Sequence, residues 1–188
     1  DVKKDYSDLK YQMVTVLYKN NDKSKVYGVY ATKDNTQQTG ILKNLKMDGN
    51  KVKLDGTKYD LADNTTVYVN GDVLYKTSDG FTTNDSNASK DSDGKAIKAT
   101  IKQFVDVYGD GADSTKYQGN YWQGTEVSLL ATDGTSNYSI LKVKTYKVSK
   151  VTYVGTDYVN TKSGKYDDDD YVIADGLKKD DYVVITAA

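Results

Sequence analysis

The chain has 188 residues, a formal net charge of −1, and no Cys, His, Pro or Arg. Those gaps exclude disulfides, thiol nucleophiles, thiolate metal sites, histidine triads and guanidinium clamps for phosphate. The near-zero charge supplies no basic field for nucleic acid, and no apolar run approaches the roughly 20 residues of a membrane-spanning helix.

Period-2 alternation dominates the chain and predicts strands. Residues 11–18 read as a strand that turns at Asn20-Asn21-Asp22 and returns over 25–31. Short strands follow at 44–47 and 51–54, around Asp48-Gly49-Asn50. Asp55-Gly56 turns into a strand at 57–61, and 65–70 forms another. Asn70-Gly71 is a strong two-residue hairpin signal, because both positions tolerate positive φ. Residues 77–94 have almost nothing to bury and predict a long exposed loop, mobile unless something binds it. Residues 96–104 alternate as a strand, with Lys98, Thr100 and Lys102 facing water and Ile97, Ala99 and Ile101 facing inward. Strands at 127–130, 138–143, 146–154, 171–174 and 182–186 complete the pattern, and no segment predicts a helix.

Residue usage agrees. All 26 basic residues are Lys, Glu126 is the one Glu among 27 acids, and Tyr occurs 18 times against two Phe and one Trp. Asp, Asn, Gly, Thr and Tyr suit strands joined by tight turns, whereas scarce Glu, Arg and Leu disfavour long helices. The expectation is an all-β fold, an antiparallel sandwich or barrel-like arrangement with little or no helix. It would form a single β-rich domain over 1–188, or two packed lobes at about 1–76 and 95–188 joined by the loop 77–94. The lobes are alike: Val14-Thr15-Val16-Leu17 with Val26-Tyr27-Gly28-Val29-Tyr30 parallels Val127-Ser128-Leu129-Leu130 with Tyr138-Ser139-Ile140-Leu141. Each then runs through further short strands to a closing turn-plus-strand, Tyr59-Asp60-Leu61 through Val67-Tyr68-Val69 and Tyr171-Val172-Ile173 through Tyr182-Val183-Val184-Ile185, which points to a duplicated β unit. With no leader at its start and an abrupt end at Thr186-Ala187-Ala188, the sequence is expected to be a piece of a longer protein.

Calcium is the small partner that carboxylate-rich loops favour, since they supply hard oxygen ligands. Asp106, Asp110 and Asp113 surround Gly109 and Gly111 and are the candidate ligands; the bland reading is a solvated turn. Asp85 to Ala96 begins like an EF-hand loop, but Lys90 stands where Gly is needed and Ala96 where the acidic twelfth ligand belongs. The run Asp167-Asp168-Asp169-Asp170 between Tyr166 and Tyr171 reads first as a solvated loop. Tyr117, Tyr121 and Trp122 could form a stacking platform for glycan, or Trp122 could anchor a strand in the core. A carboxylate-pair glycosidase is the one enzyme class the residue types leave open, and no spacing selects a pair among 26 Asp.

Three stretches carry a family resemblance. They are Val52-Lys53-Leu54-Asp55-Gly56-Thr57-Lys58-Tyr59-Asp60-Leu61-Ala62-Asp63-Asn64-Thr65-Thr66-Val67-Tyr68-Val69-Asn70-Gly71, then Gly124-Thr125-Glu126-Val127-Ser128-Leu129-Leu130-Ala131-Thr132-Asp133-Gly134, and Asp175-Gly176-Leu177-Lys178-Lys179-Asp180-Asp181-Tyr182-Val183-Val184-Ile185-Thr186. Together they resemble the β-rich region of Firmicutes cell-surface proteins that carry S-layer homology domains elsewhere in the chain. The resemblance implies a secreted, extracellular structural or spacer module on a Gram-positive cell surface, with no catalytic site. Its implied partners are neighbouring domains or copies of the same protein, with cell-wall or host glycan as a further partner. The alternative is an adhesion module that binds glycan or protein through 117–122 or the loop 77–94. The family's Asp-Gly-rich turn after the Gly124 strand is reduced here to Thr132-Asp133-Gly134-Thr135.

Overall fold

The computed structural model describes residues 9–111 and 125–186. The fold is mostly β: half of the described residues lie in strands, in curled half-barrel sheets, and among the described residues there is one α-helix. Two compact units divide it, Asp1–Val143 and Lys144–Ala188.

In the first unit, β1 (Val14–Tyr18) and β2 (Val26–Ala31) form an antiparallel two-stranded sheet. Asn20 and Asn21 in the turn between them have φ of 53° and 59°, a conformation that Asn accepts readily. The main sheet follows. Its strands are β3 (Thr36–Ile41), β4 (Leu45–Asp48), β5 (Lys51–Leu54), β6 (Thr57–Val69), β10 (Glu126–Ala131) and β11 (Asn137–Lys144), in the order β3-β10-β11-β6-β5-β4. A short β7 (Asp72–Val73) folds back on β6 through Asn70-Gly71, whose φ values of 49° and 95° suit a type I′ hairpin. The minor pair β8 (Tyr75–Lys76) and β9 (Phe81–Thr82) follows.

Alternation sorts the side chains as the sequence predicts. In β5 Val52 and Leu54 are buried while Lys51 and Lys53 face outward. On the outer face Lys51 pairs with Asp60 at 2.8 Å and Lys58 with Asp48 at 2.9 Å; exposed pairs of this kind contribute about 0–1 kcal/mol each. β10 is more deeply placed, with Val127, Ser128, Leu129, Leu130 and Ala131 all buried. The Ser128 hydroxyl meets Thr39 Oγ1 at 2.8 Å, so the polar atom brought inside has a partner.

Several elements differ from the sequence reading. β3, Thr-Gln-Gln-Thr-Gly-Ile, has no apolar alternation, yet it completes a six-residue antiparallel ladder with β10. β6 is one continuous 13-residue strand where two short ones are expected. It also pairs in parallel with β11, with an irregular register between Tyr138 and Ile140 that lets extra β6 residues bulge. Residues 96–104 are not a strand: α1 (Ile101–Tyr108) begins inside them. Ile101, Phe104, Val105 and Tyr108 recur at i, i+3, i+4 and i+7, which is helical spacing. Thr100 and Gln103 form a reciprocal capping box, the Thr100 hydroxyl accepting from Gln103 N at 3.2 Å and Gln103 Oε1 accepting from Thr100 N at 3.0 Å. The Ile101 N–H donates to Thr65 Oγ1 at 3.0 Å, tying the helix start to the β6 bulge. Ile101, Phe104 and Val105 are thereby inserted into the core with Leu45, Leu74, Val67 and Leu141.

The loop 77–94 is stitched to the body. Asp85–Asn87 forms a one-turn 3-10 helix capped by Asn84, Ser89 N donates to Lys76 O at 2.8 Å, and Ile97 N donates to Ser89 O at 2.9 Å. Lys90 and Ala96, the two positions that break the EF-hand pattern, face each other as a β-bridge.

The second unit is a four-stranded sheet, β14-β13-β12-β15, from β12 (Tyr146–Val154), β13 (Tyr158–Thr161), β14 (Gly164–Asp167) and β15 (Tyr182–Thr186). Among its described residues only Ser149, Val151, Val159 and Thr161 are buried. Residues 171–174, expected as a strand, are irregular chain, and Val172 is fully exposed there. Strands from both expected lobes share the main sheet, since β3 pairs with β10 and β6 with β11. The hairpin-like opening of each proposed repeat recurs as β1–β2 and β10–β11. The closing segments do not: one belongs to continuous β6, and the other is irregular chain followed by β15.

Candidate functional site

The candidate calcium residues are engaged with lysines. Asp106, on α1, pairs with Lys102 one turn back at 2.6 Å. Asp110, just past the helix end, lies 3.8 Å from Lys46 of β4, and its backbone N–H donates to Leu45 O. The structure therefore turns these two carboxylates toward different cations. Asp113 lies outside the described residues, as do Tyr117, Tyr121 and Trp122. Among the described residues no three Asp or Glu side chains gather closely enough to hold a metal ion.

Asp133 spends its carboxylate locally, accepting from the N–H and hydroxyl of Thr135, at 3.0 and 2.5 Å. Those bonds, the hydroxyl's first, hold its pKa below the usual carboxylate value. Asp22 is lowered in the same way by Ser24, and Asp48 and Asp180 by Lys58 and Lys150. Each of these four shifts favours the ionised form.

A groove of about 610 Å3 opens on the second unit. β15 contributes Tyr182 and Val184, the chain after β14 contributes Tyr171 and Val172, and Asp168 to Asp170 stand along one wall. The tight turn at the end of β14 builds that wall: Asp170 N and Tyr171 N both donate to Asp167 O, and Asp168 N to Asp157 O. Asp167 itself pairs with Lys165 at 2.5 Å, which leaves the next three carboxylates as the groove's charge. Tyr166 and Tyr171 meet edge to face at 5.0 Å, and the Tyr166 hydroxyl lies 3.0 Å from Ser163 Oγ. Sequence reading singled out the acidic run but not the groove. Its signal was the pair of Tyr residues bracketing the acids, followed by Val-Ile exposed without a strand to bury them.

Fold and groove together define a mostly β protein that has, among the described residues, one short α-helix and an apolar surface cleft lined on one side by Asp168 to Asp170. Compared with known proteins, the chain matches no family model, no curated protein and no solved structure.

Proposed function

We propose that this chain is a structural, non-catalytic spacer module of a secreted bacterial cell-surface protein of the surface-layer kind. The observation that carries the reading is what the interior contains. Among the described residues the buried polar side chains are four hydroxyls, Thr125, Ser128, Ser149 and Thr161, and no Asp, Glu or Lys is buried. An interior of that kind serves packing, because it holds no charge whose affinity for protons is tuned for chemistry. The missing His, Cys and Arg support the same reading, as do Asp pKa values that shift only downward. The family resemblance of 52–71, 124–134 and 175–186 supports the cell-surface compartment.

The test is accessibility on the source cells. Intact cells are labelled with a membrane-impermeant amine reagent, to which the Lys-rich surface offers many targets, and the protein is then recovered by antibody. Labelling in intact cells is the expected outcome. Recovery of unlabelled protein that becomes reactive only after lysis would place it inside the cell and end the proposal.

A further inference from the structure

Two of the surfaces that leave apolar side chains open to water carry opposite charge. The first is the β1–β2 hairpin. Its register sets Leu17 opposite Gly28 and Thr15 opposite Tyr30, so Met13, Leu17 and Tyr30 share one face. They are 53%, 43% and 52% exposed. Tyr30 lies across Gly28, where an added Cβ would meet its ring at 2.8 Å, so Gly28 is what allows the ring to lie flat on the strand. A two-stranded sheet is marginal in water by itself, and an exposed apolar face is a reason for it to seek cover. The hairpin's tip is basic: Lys19, Lys23 and Lys25 accompany a single acid, Asp22, which already pairs with Lys25 at 3.1 Å.

The second surface is the groove of the other unit, where Val172, Tyr182 and Val184 are 104%, 73% and 62% exposed beside Asp168, Asp169 and Asp170. Its strand β15 is an edge of its sheet, and both hairpin strands are edges of theirs, so each side has backbone groups available for extending a ladder. An occupant of this groove needs an apolar face with positive charge at one end. The β1–β2 hairpin offers both.

We propose that the β1–β2 hairpin of one copy docks in the acidic-walled groove of a second copy. Its Leu17 and Tyr30 face covers Val172 and Val184, and Lys19 and Lys23 approach Asp168 and Asp170. The two patches are different, so the contact is head to tail. A copy that gives its hairpin still has an open groove, and association propagates beyond a pair. The inference goes beyond the structural-module reading and is tested independently of it, since association in solution does not require a cell surface.

The experiment is sedimentation velocity on the full chain across a wide concentration range, at low and high salt. Two charge variants on exposed positions accompany it: a hairpin variant, K19E/K23E, and a groove variant, D168K/D170K. The unaltered chain should associate with rising concentration and dissociate as salt screens the rim. Each variant alone should need about tenfold more protein to associate. Their equimolar mixture should recover the affinity, because the acidic hairpin then meets the basic groove. Val172→Asp should abolish association while circular dichroism stays unchanged. A chain that remains monomeric throughout would overturn the proposal. So would variants that associate as the parent does, or a mixture no tighter than its components.

Discussion

Phe104 shows how much of this fold rests on single side chains. Its ring is fully buried on the strand-facing side of α1, 5.0 Å from the Tyr108 ring, in a core built mainly from Leu and Val. Phe104→Ala should cost about 3–5 kcal/mol through lost burial and the cavity left behind, read as a lower urea midpoint. Val148→Thr, at an exposed position, should stay within about 0.5 kcal/mol of the parent. A Phe104 variant no weaker than the Val148 variant would mean that α1 does not close the core. Burial also explains why residues 171–174 read as a strand and are not one. Tyr-Val-Ile-Ala has strand composition, but a strand needs a face to bury and a ladder to join, and Val172 has neither.

At the level of elements, α1 depends on its cap. Thr100→Ala removes the acceptor for Gln103 N and half of the capping box, and should cost about 1 kcal/mol. Thr100→Ser should recover most of that loss in the same urea titration, whereas an equal loss from both would argue that the hydroxyl is not the cap. Asp106→Asn should change little, because an exposed i,i+4 pair contributes only about 0.3–0.5 kcal/mol. The helix was present in the sequence as Thr100-x-x-Gln103 followed by apolar residues at helical spacing. Period-2 alternation over 97–101 masked it, since Ala99 and Ile101 are buried under both readings. The hairpins at Asp55-Gly56 and Asn70-Gly71 were legible because positive φ restricts the residues allowed there. β3 was not, because a polar strand is fixed by its partner β10, and that pairing is invisible to local pattern. The groove escaped for a related reason, being assembled from β15 and a loop that sequence alone cannot bring together.

Across the whole molecule, the two units should differ in stability. The buried apolar cluster lies wholly within Asp1–Val143, whereas Lys144–Ala188 buries few side chains. Small units with thin cores are marginal. Hydrogen exchange should therefore be slowest in β5, β6, β10 and β11 and faster throughout β12 to β15; uniform protection would contradict this. Stability should also have a flat plateau in pH. Asp22, Asp48, Asp133 and Asp180 have folded pKa values below their ordinary ones, so their contribution is present above the ordinary carboxylate range. It is lost as pH falls through the lowered values. Lys150 and Lys165 are raised by Asp180 and Asp167, so theirs is present below the ordinary Lys value and lost as pH rises through the raised one. No His or Cys titrates in between, and urea midpoints should hold steady from about pH 6 to 9 and fall in acid. A steady drift through neutrality would count against this assignment.

The pairing of β3 with β10 has one more consequence, for the order of events during synthesis. Thr39 and Ser128 meet at a sequence separation of 89 positions, and β6 likewise waits for β11. Until β11 has left the ribosome, the β4–β5–β6 meander has an unpaired edge along β6, where backbone groups wait for a partner. Closing such a long loop is slow, and the half-made sheet is the species most exposed to aggregation. A nascent chain stalled before Asn137 should thus be the form that chaperones hold longest, and release should come only once Lys144 is clear of the exit tunnel.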